Sequence, residues 1–213
     1  MSLGVAFDPD RPAPAPSLTL VLGGARSGKS TLAERLTLAS GPRPLYFATA
    51  RPVHVDGDPE MIARVKAHQD RRGPAWTTIE AGADLAGALA THATDPTRPV
   101  LIDCLILWLG GLMMATAEPD GAVPQSPEAA ALAAGRAGAA VGPALDALEA
   151  ALARVPAPVI VVSGEVGLGL VPMEPLSRQF RDALGLINQR LAARAQRAVL
   201  CVAGLPLVLK DTV

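Results

Sequence analysis

The sequence predicts a three-layer α/β/α fold built on a mainly parallel sheet, and three observations carry that expectation. Short runs such as LTLVL, PVLID and PVIVVS are apolar throughout instead of alternating, as strands buried on both faces are. Segments with helical spacing of apolar residues lie between them, so strand and helix alternate along the chain. A glycine-rich turn stands where the first strand hands over to the first helix. The 213 residues divide into a flexible, proline-rich arm at 1–17 and one catalytic domain at 18–213.

Taken in order, residues 18–22 form the first strand and 29–39 a helix that Gly41-Pro42 stops. LYFAT at 45–49 is a strand. PEMIARVKAHQD at 59–70 is a helix, with Asp58 as N-cap and Pro59 at its first position. A strand at 76–80 and a helix at 84–92 precede the buried strand PVLID at 99–103. The stretch 100–117 is nearly long and apolar enough to span a membrane, but Asp103 lies inside it and Gly110-Gly111 weakens a helix there. A strand, a turn and a helix account for it better. A Pro/Gly/Asp-rich loop follows at 118–126. The alanine-rich run 127–153 is helical, with Gly142-Pro143 expected to kink or break it. PVIVVS at 158–163 is a strand. A helix at 174–195 carries Leu176, Phe180, Ala183, Leu184, Ile187 and Leu191 on one face, and two short strands at 198–203 and 207–210 close the chain.

The turn reads Gly23-Gly24-Ala25-Arg26-Ser27-Gly28-Lys29-Ser30, which fits G-x-x-x-x-G-K-[ST]. Glycines let the backbone curl so that successive N–H groups point at phosphate oxygens, and the following helix aims its positive end at the same anion. Lys29 then reaches the β- and γ-phosphates and Ser30 ligates Mg²⁺. The fold is therefore of the P-loop NTPase type, with ATP or GTP as substrate. Only three lysines occur, Lys29, Lys66 and Lys210, against many arginines, so the compact ammonium at position 29 has a specific use. An acidic residue at the end of a neighbouring strand completes such a site by holding the metal. Asp103 is the candidate. Glu80 and Glu165 end or follow strands on the same argument, within reach of the ligand crevice of an open α/β sheet.

Composition removes other functions. A net charge of −1 and 3% aromatic residues leave neither a basic face nor a stacking platform for nucleic acid. Cys104 and Cys201 sit in apolar runs and read as buried reduced thiols, with no metal-ligand spacing. No membrane span is expected, and the expected compartment is the cytoplasm. Of the three histidines, His54 and His92 read as solvated or structural. His68 has Arg64 one turn before it and Arg71 and Arg72 just after, surroundings that favour a neutral imidazole and attract phosphate.

The segments GGARSGKS, LYFATA, EMIARVKAHQDRR, VLIDC, SGEVGLGLVP and RQFRDALGLINQRLA occur in that order. Together they resemble the bifunctional adenosylcobinamide kinase / adenosylcobinamide-phosphate guanylyltransferases of cobalamin biosynthesis, from about Leu20 to Lys210. The resemblance implies two steps. A nucleoside triphosphate first phosphorylates the aminopropanol hydroxyl of adenosylcobinamide. GMP from GTP then passes through an enzyme histidine to the substrate phosphate, giving adenosylcobinamide-GDP. It places the guanylylated histidine at His68, with Lys29, Arg64 and Glu165 as further catalytic groups. It also places nucleotide contacts at Gly23, Gly24, Ala25, Arg26, Ser27, Gly28, Lys29, Ser30, Ala48, Thr49, Ala50, Glu80 and Asp103. Mg²⁺ at Ser30 and Asp103, a corrinoid partner and a homo-oligomer, a trimer in the family, follow from the same likeness. Two departures stand out: Ala67 precedes His68 where relatives often carry a second histidine, and Gly164 precedes Glu165 where Asn is common. Two other readings stay open. One is a P-loop kinase of another hydroxylated small molecule without a covalent histidine, and the other is a nucleotide-dependent switch.

Overall fold

The computed structural model describes residues 7–50, 59, 62, 63, 66, 72–117 and 124–212. The elements run β1 (Ser17–Gly23), α1 (Lys29–Ser40), β2 (Leu45–Ala48), β3 (Thr77–Glu80), α2 (Leu85–His92), β4 (Val100–Asp103), α3 (Leu105–Ala117), α4 (Pro127–Leu152), β5 (Pro158–Val162), α5 (Pro175–Arg194), β6 (Arg197–Val202) and β7 (Leu205–Asp211). Pro59, Ile62, Ala63, Lys66 and Arg72 are helical, and the rest of the helix expected at 59–70 lies outside the described residues.

The seven strands form one sheet in the order β3-β2-β4-β5-β1-β6-β7. All pairs are parallel except β6–β7. The mainly parallel sheet expected from the unalternating runs is therefore present, and burial explains it. On β1, Leu20 and Leu22 join the core formed with α2, α3, α4 and α5, while Val21 joins the core under α1. On β5, Val159 and Val161 face the first core and Ile160 and Val162 the second. The central strands need apolar residues on both sides because helices cover both, whereas the edge strands β3 and β7 are largely exposed.

Capping follows the sequence. Asp84 accepts the Gly87 N–H at 3.0 Å and starts α2, and Ser126 accepts the Ala129 N–H at 3.2 Å and starts α4. The strand and helix expected at 100–117 are present, but the turn between them and a break at Pro143 are not. Only Cys104 separates β4 from α3, so the stretch has no turn, and α3 runs through Gly110-Gly111. At Gly110 the helix packs against the Phe180 ring of α5, whose edge is 4.0 Å from where a Cβ would sit, an ordinary contact distance. α4 likewise continues through Pro143. Its buried Ala133, Ala137, Val141, Leu145 and Leu148 pack on both sides of that residue, outweighing the one lost backbone hydrogen bond. The face expected on the 174–195 helix is real: Leu184, Ile187 and Leu191 are buried in α5, with Leu176, Phe180 and Ala183 against the same core.

Buried Glu149 on α4 joins α5 through Arg190 at 2.9 and 2.6 Å and Arg194 at 3.1 Å, since a carboxylate removed from water needs its charge matched. Ahead of β1, Asp10 binds the Arg35 guanidinium and the Ala13 N–H reaches Ser40 Oγ at 3.1 Å, so this part of the arm lies against α1. Among the described residues, no helix is long and apolar enough to cross a membrane.

Phe47 is 0% exposed at the centre of the larger core. Phe47→Ala is expected to cost about 3–5 kcal/mol, read from the shift of the urea unfolding midpoint at unchanged slope.

Candidate functional site

β1 ends in Gly23, and the chain curls through Gly24, Ala25, Arg26, Ser27 and Gly28 before α1 begins at Lys29. Two neighbours hold the curl. The Glu165 N–H donates to the Gly23 carbonyl at 3.4 Å, and the Gly204 N–H donates to the Ser27 carbonyl at 3.0 Å. A Cβ at Gly23 would sit 2.8 Å from the Cys201 carbonyl oxygen and 2.4 Å from Ser27 Oγ, so this position admits glycine alone. Gly28 caps α1 in the left-handed region, φ +91°, with its Cα face 3.2 Å from Gly204 Cα where a Cβ would be.

Among the described residues no side chain caps the start of α1. Its first N–H groups and the positive end of its dipole are thus left to the loop, which is the arrangement a phosphate requires. Lys29 is 9% exposed, and its ammonium donates to the Gly24 carbonyl at 3.0 Å across the curl. Ser30, one residue on, is half-buried.

Strand order spaces the carboxylates along the carboxyl edge. β5 lies between β1 and β4, so Asp103 is not on a strand adjacent to the phosphate loop, as the sequence led one to expect. At one strand spacing per step, Glu165 is about 5 Å from the β1 line, Asp103 about 10 Å and Glu80 about 19 Å. Ala48 pairs in register with both Glu80 and Asp103, so those three residues make a second cluster at the far end of the edge. Lys29 and Asp103 still share an environment. The Cys104 thiol is pushed up to about 11, first by burial and then by the Asp103 carboxylate, with Lys29 opposing. Burial and Asp103 also raise the Tyr46 hydroxyl.

Thr49 serves the backbone: its hydroxyl donates to the Cys104 carbonyl at 2.7 Å and accepts the Cys104 N–H at 2.9 Å, fixing the step after Asp103. Ala50 is half-buried beside it. Arg72 stacks over Tyr46 with its guanidinium carbon 3.4 Å from the ring centroid, and its buried Nη1 has no hydrogen-bond partner. Arg64, His68, Arg71 and His54 lie outside the described residues.

Three features escaped the sequence. Asn188 on α5 is buried, donates to the Gly164 carbonyl at 2.8 Å and accepts the Ser163 hydroxyl at 2.7 Å, locking the turn that carries Glu165. Its signal was a polar residue among the apolar positions 184, 187 and 191. The space a side chain at position 164 would need is taken by Ile106, whose Cδ1 lies 2.2 Å from the Cβ position, so glycine there is matched to its neighbour. The third is the hairpin tip that touches the phosphate loop: Ala203 and Gly204 both have positive φ, 52° and 80°, as a type I′ turn between β6 and β7 requires. Cys104 and Cys201 are free and buried. Among the described residues no group of three metal-ligating side chains occurs. Ser30 and Asp103 offer two hard oxygen donors, which fits an ion that keeps most of its ligands as water and phosphate oxygen.

The sequence model of the family described as cobinamide kinase / cobinamide phosphate guanyltransferase matches residues 19–209. The bifunctional adenosylcobalamin biosynthesis protein CobP of Pseudomonas aeruginosa is 40% identical over 191 residues, 90% of this chain and 96% of that protein. The corresponding protein CobU of Salmonella typhimurium is 37% identical over 193 residues, 91% of this chain and 99% of that protein. A solved structure, the flagellar accessory protein FlaH of Methanocaldococcus jannaschii, is 13% identical with a TM-score of 0.44, covering 93% of this chain and 80% of that one.

If the curl holds the nucleotide, Gly28→Ala weakens nucleotide binding about tenfold or more in folded protein, measured by titration with a fluorescent analogue. Unchanged affinity would contradict the assignment. The raised thiol makes a second prediction. Below about pH 9, Cys104 is protonated in folded and unfolded protein alike. Between 9 and 11 only the unfolded state ionises, so stability falls as pH rises, and Cys104→Ala lessens the fall in pH-dependent unfolding.

Proposed function

This chain belongs to the cobinamide kinase / cobinamide phosphate guanyltransferase family, and from that premise we propose how one sheet edge carries both transfers. It is a bifunctional transferase, a kinase and a nucleotidyltransferase acting in adenosylcobalamin biosynthesis. The observation that carries the reading is the curl from Gly23 to Gly28 running into an uncapped α1 with buried Lys29 at its mouth.

In the first step the loop N–H groups, the α1 N-terminus and Lys29 take the β- and γ-phosphates of ATP or GTP. Glu165, one strand away and held by the Gly167 N–H at 2.8 Å, orients the aminopropanol hydroxyl of cobinamide. The hydroxyl oxygen bonds to the γ-phosphorus and passes its proton to the Glu165 carboxylate, the bond to the β–γ bridging oxygen breaks, and the nucleoside diphosphate leaves. Ser30 directly, and Asp103 through water, would hold Mg²⁺, which when bound offsets the phosphate charge. In the second step an imidazole nitrogen of His68 attacks the α-phosphorus of GTP and pyrophosphate leaves. The cobinamide phosphate then displaces the imidazole and takes GMP, giving the GDP-linked product. Splitting the exchange in two lets imidazole serve as nucleophile and then as leaving group. Arg64 and Arg72 spread the developing charge, while Ala48, Ala50 and Glu80 contact the nucleotide at the far end of the edge. We also propose a homo-oligomer, a trimer, on the family resemblance.

Incubation with Mg²⁺ and GTP labelled at the α-phosphate, followed by denaturation, tests the covalent step. An acid-labile, alkali-stable label mapping to His68 is expected. It is lost in His68→Asn while phosphorylation of cobinamide persists. An undiminished label in His68→Asn would remove this residue from the route.

A further inference from the structure

Between β5 and α5 the chain leaves the sheet for its carboxyl edge and exposes an unusual series of side chains. Val166 is 38% exposed, Leu168 88%, Leu170 97%, Val171 65% and Met173 91%. Five large apolar residues within eight positions stand exposed, a concentration of apolar surface that soluble proteins keep for binding. Glycines at 167 and 169 separate them and shield nothing.

The segment is held in this conformation from both ends. At its root, the Glu165 N–H donates to Gly23 of the phosphate loop, and Asn188 grips Ser163 and Gly164. The Gly167 N–H donates to Glu165 Oε1 at 2.8 Å. At its far end, Arg178 Nη1 donates to the carbonyls of Pro172, at 3.1 Å, and Met173. The apolar side chains are thus presented to solvent by a backbone tied to the phosphate site. Leu170, five residues past Glu165, lies no more than about 18 Å along the chain from that residue.

We propose that the 166–173 loop is the binding surface for the acceptor, its apolar side chains lying against the methyl- and methylene-rich body of the corrin macrocycle. This inference rests on the cobinamide reading above. The acceptor is a macrocycle with a hydroxyl on a short arm, and the hydroxyl must come to the γ-phosphate at the Gly23–Ser30 curl. Its body must therefore rest on whatever surface lies within an arm's length of that curl, and this loop is rooted there. The same contacts hold the substrate in both transfers, since the arm alone changes between them. The second exposed apolar row, Leu205, Leu207 and Leu209 on the edge strand β7, is 55–71% exposed and also starts beside the phosphate loop, at Gly204, but it runs away from the carboxyl edge toward Asp211, opposite Arg197 at the start of β6, so only Leu205 stays near the curl.

The test compares wild type with Leu168→Gln/Leu170→Gln and with Met173→Gln, all changes at exposed positions, and with Leu132→Gln on α4 as control. Cobinamide binding without nucleotide is measured by equilibrium dialysis, alongside kinase kinetics, nucleotide affinity and mass by light scattering. The loop variants are expected to bind cobinamide about tenfold or more weakly, with KM raised in proportion and kcat near wild type. Nucleotide affinity and molar mass stay those of wild type, and Leu132→Gln is unaffected. Loop variants with wild-type cobinamide affinity would overturn the assignment alone. A fall in molar mass would overturn it in favour of a contact between copies. Wild-type protein that binds nucleotide but not cobinamide would overturn both this assignment and the function it rests on.

Discussion

The tight curl between β1 and α1 is the constraint on which the rest of the structure depends. A backbone that must present its N–H groups inward leaves no room outside. The Cys201 carbonyl stands where a Gly23 Cβ would go, and Gly204 stands against Gly28. The curl is therefore enclosed by its sheet neighbours: β5 through the Glu165 N–H on one side and the β6–β7 hairpin tip through the Gly204 N–H on the other. The one antiparallel pair in the sheet thus has a local purpose. It turns the chain back over the phosphate loop, which a further parallel strand would not do.

Strand order then distributes the chemistry. With β5 inserted between β1 and β4, the residues next to the curl are those of the Ser163–Glu165 turn, and Asp103 stands a strand farther off. Each carboxyl end is fixed by a side chain from a distant part of the sequence. Asn188 fixes the β5 turn, and Thr49 fixes the step from Asp103 to Cys104. These bonds are buried, so leaving them unmade would strand polar groups away from water, which favours one arrangement over slightly displaced ones. The edge reads as a row, from the curl at β1 through the Glu165 turn and Asp103 to Ala48 and Glu80.

What could be read in the sequence was what short segments decide. The phosphate loop is eight consecutive residues whose geometry is local, and the strands declared themselves because burial on both faces demands unbroken apolar runs. Caps at Asp84 and Ser126 are equally local but do not announce themselves, the first standing inside an expected helix and the second at the end of a loop. Errors arose where packing between distant elements overrides local preference. Pro143 does not break α4, because α3, α4 and α5 cover one another. The order of strands, the Thr49 clasp and the Asn188 grip join residues far apart in the chain, and no spacing rule reveals them. Gly164 shows the limit from the other side, since its meaning lies in Ile106, fifty-eight positions earlier.

The most direct test of the account follows the γ-phosphate itself. Cobinamide is incubated with nucleoside triphosphate labelled at that position, using wild type and Lys29→Ala proteins that unfold at the same urea concentration. The account predicts labelled cobinamide phosphate from wild type and a rate about a hundredfold or more lower from the variant, because the buried ammonium at the curl is removed. Undiminished transfer by Lys29→Ala would mean that the curl is not where the phosphate is held, and the arrangement built around it would lose its function.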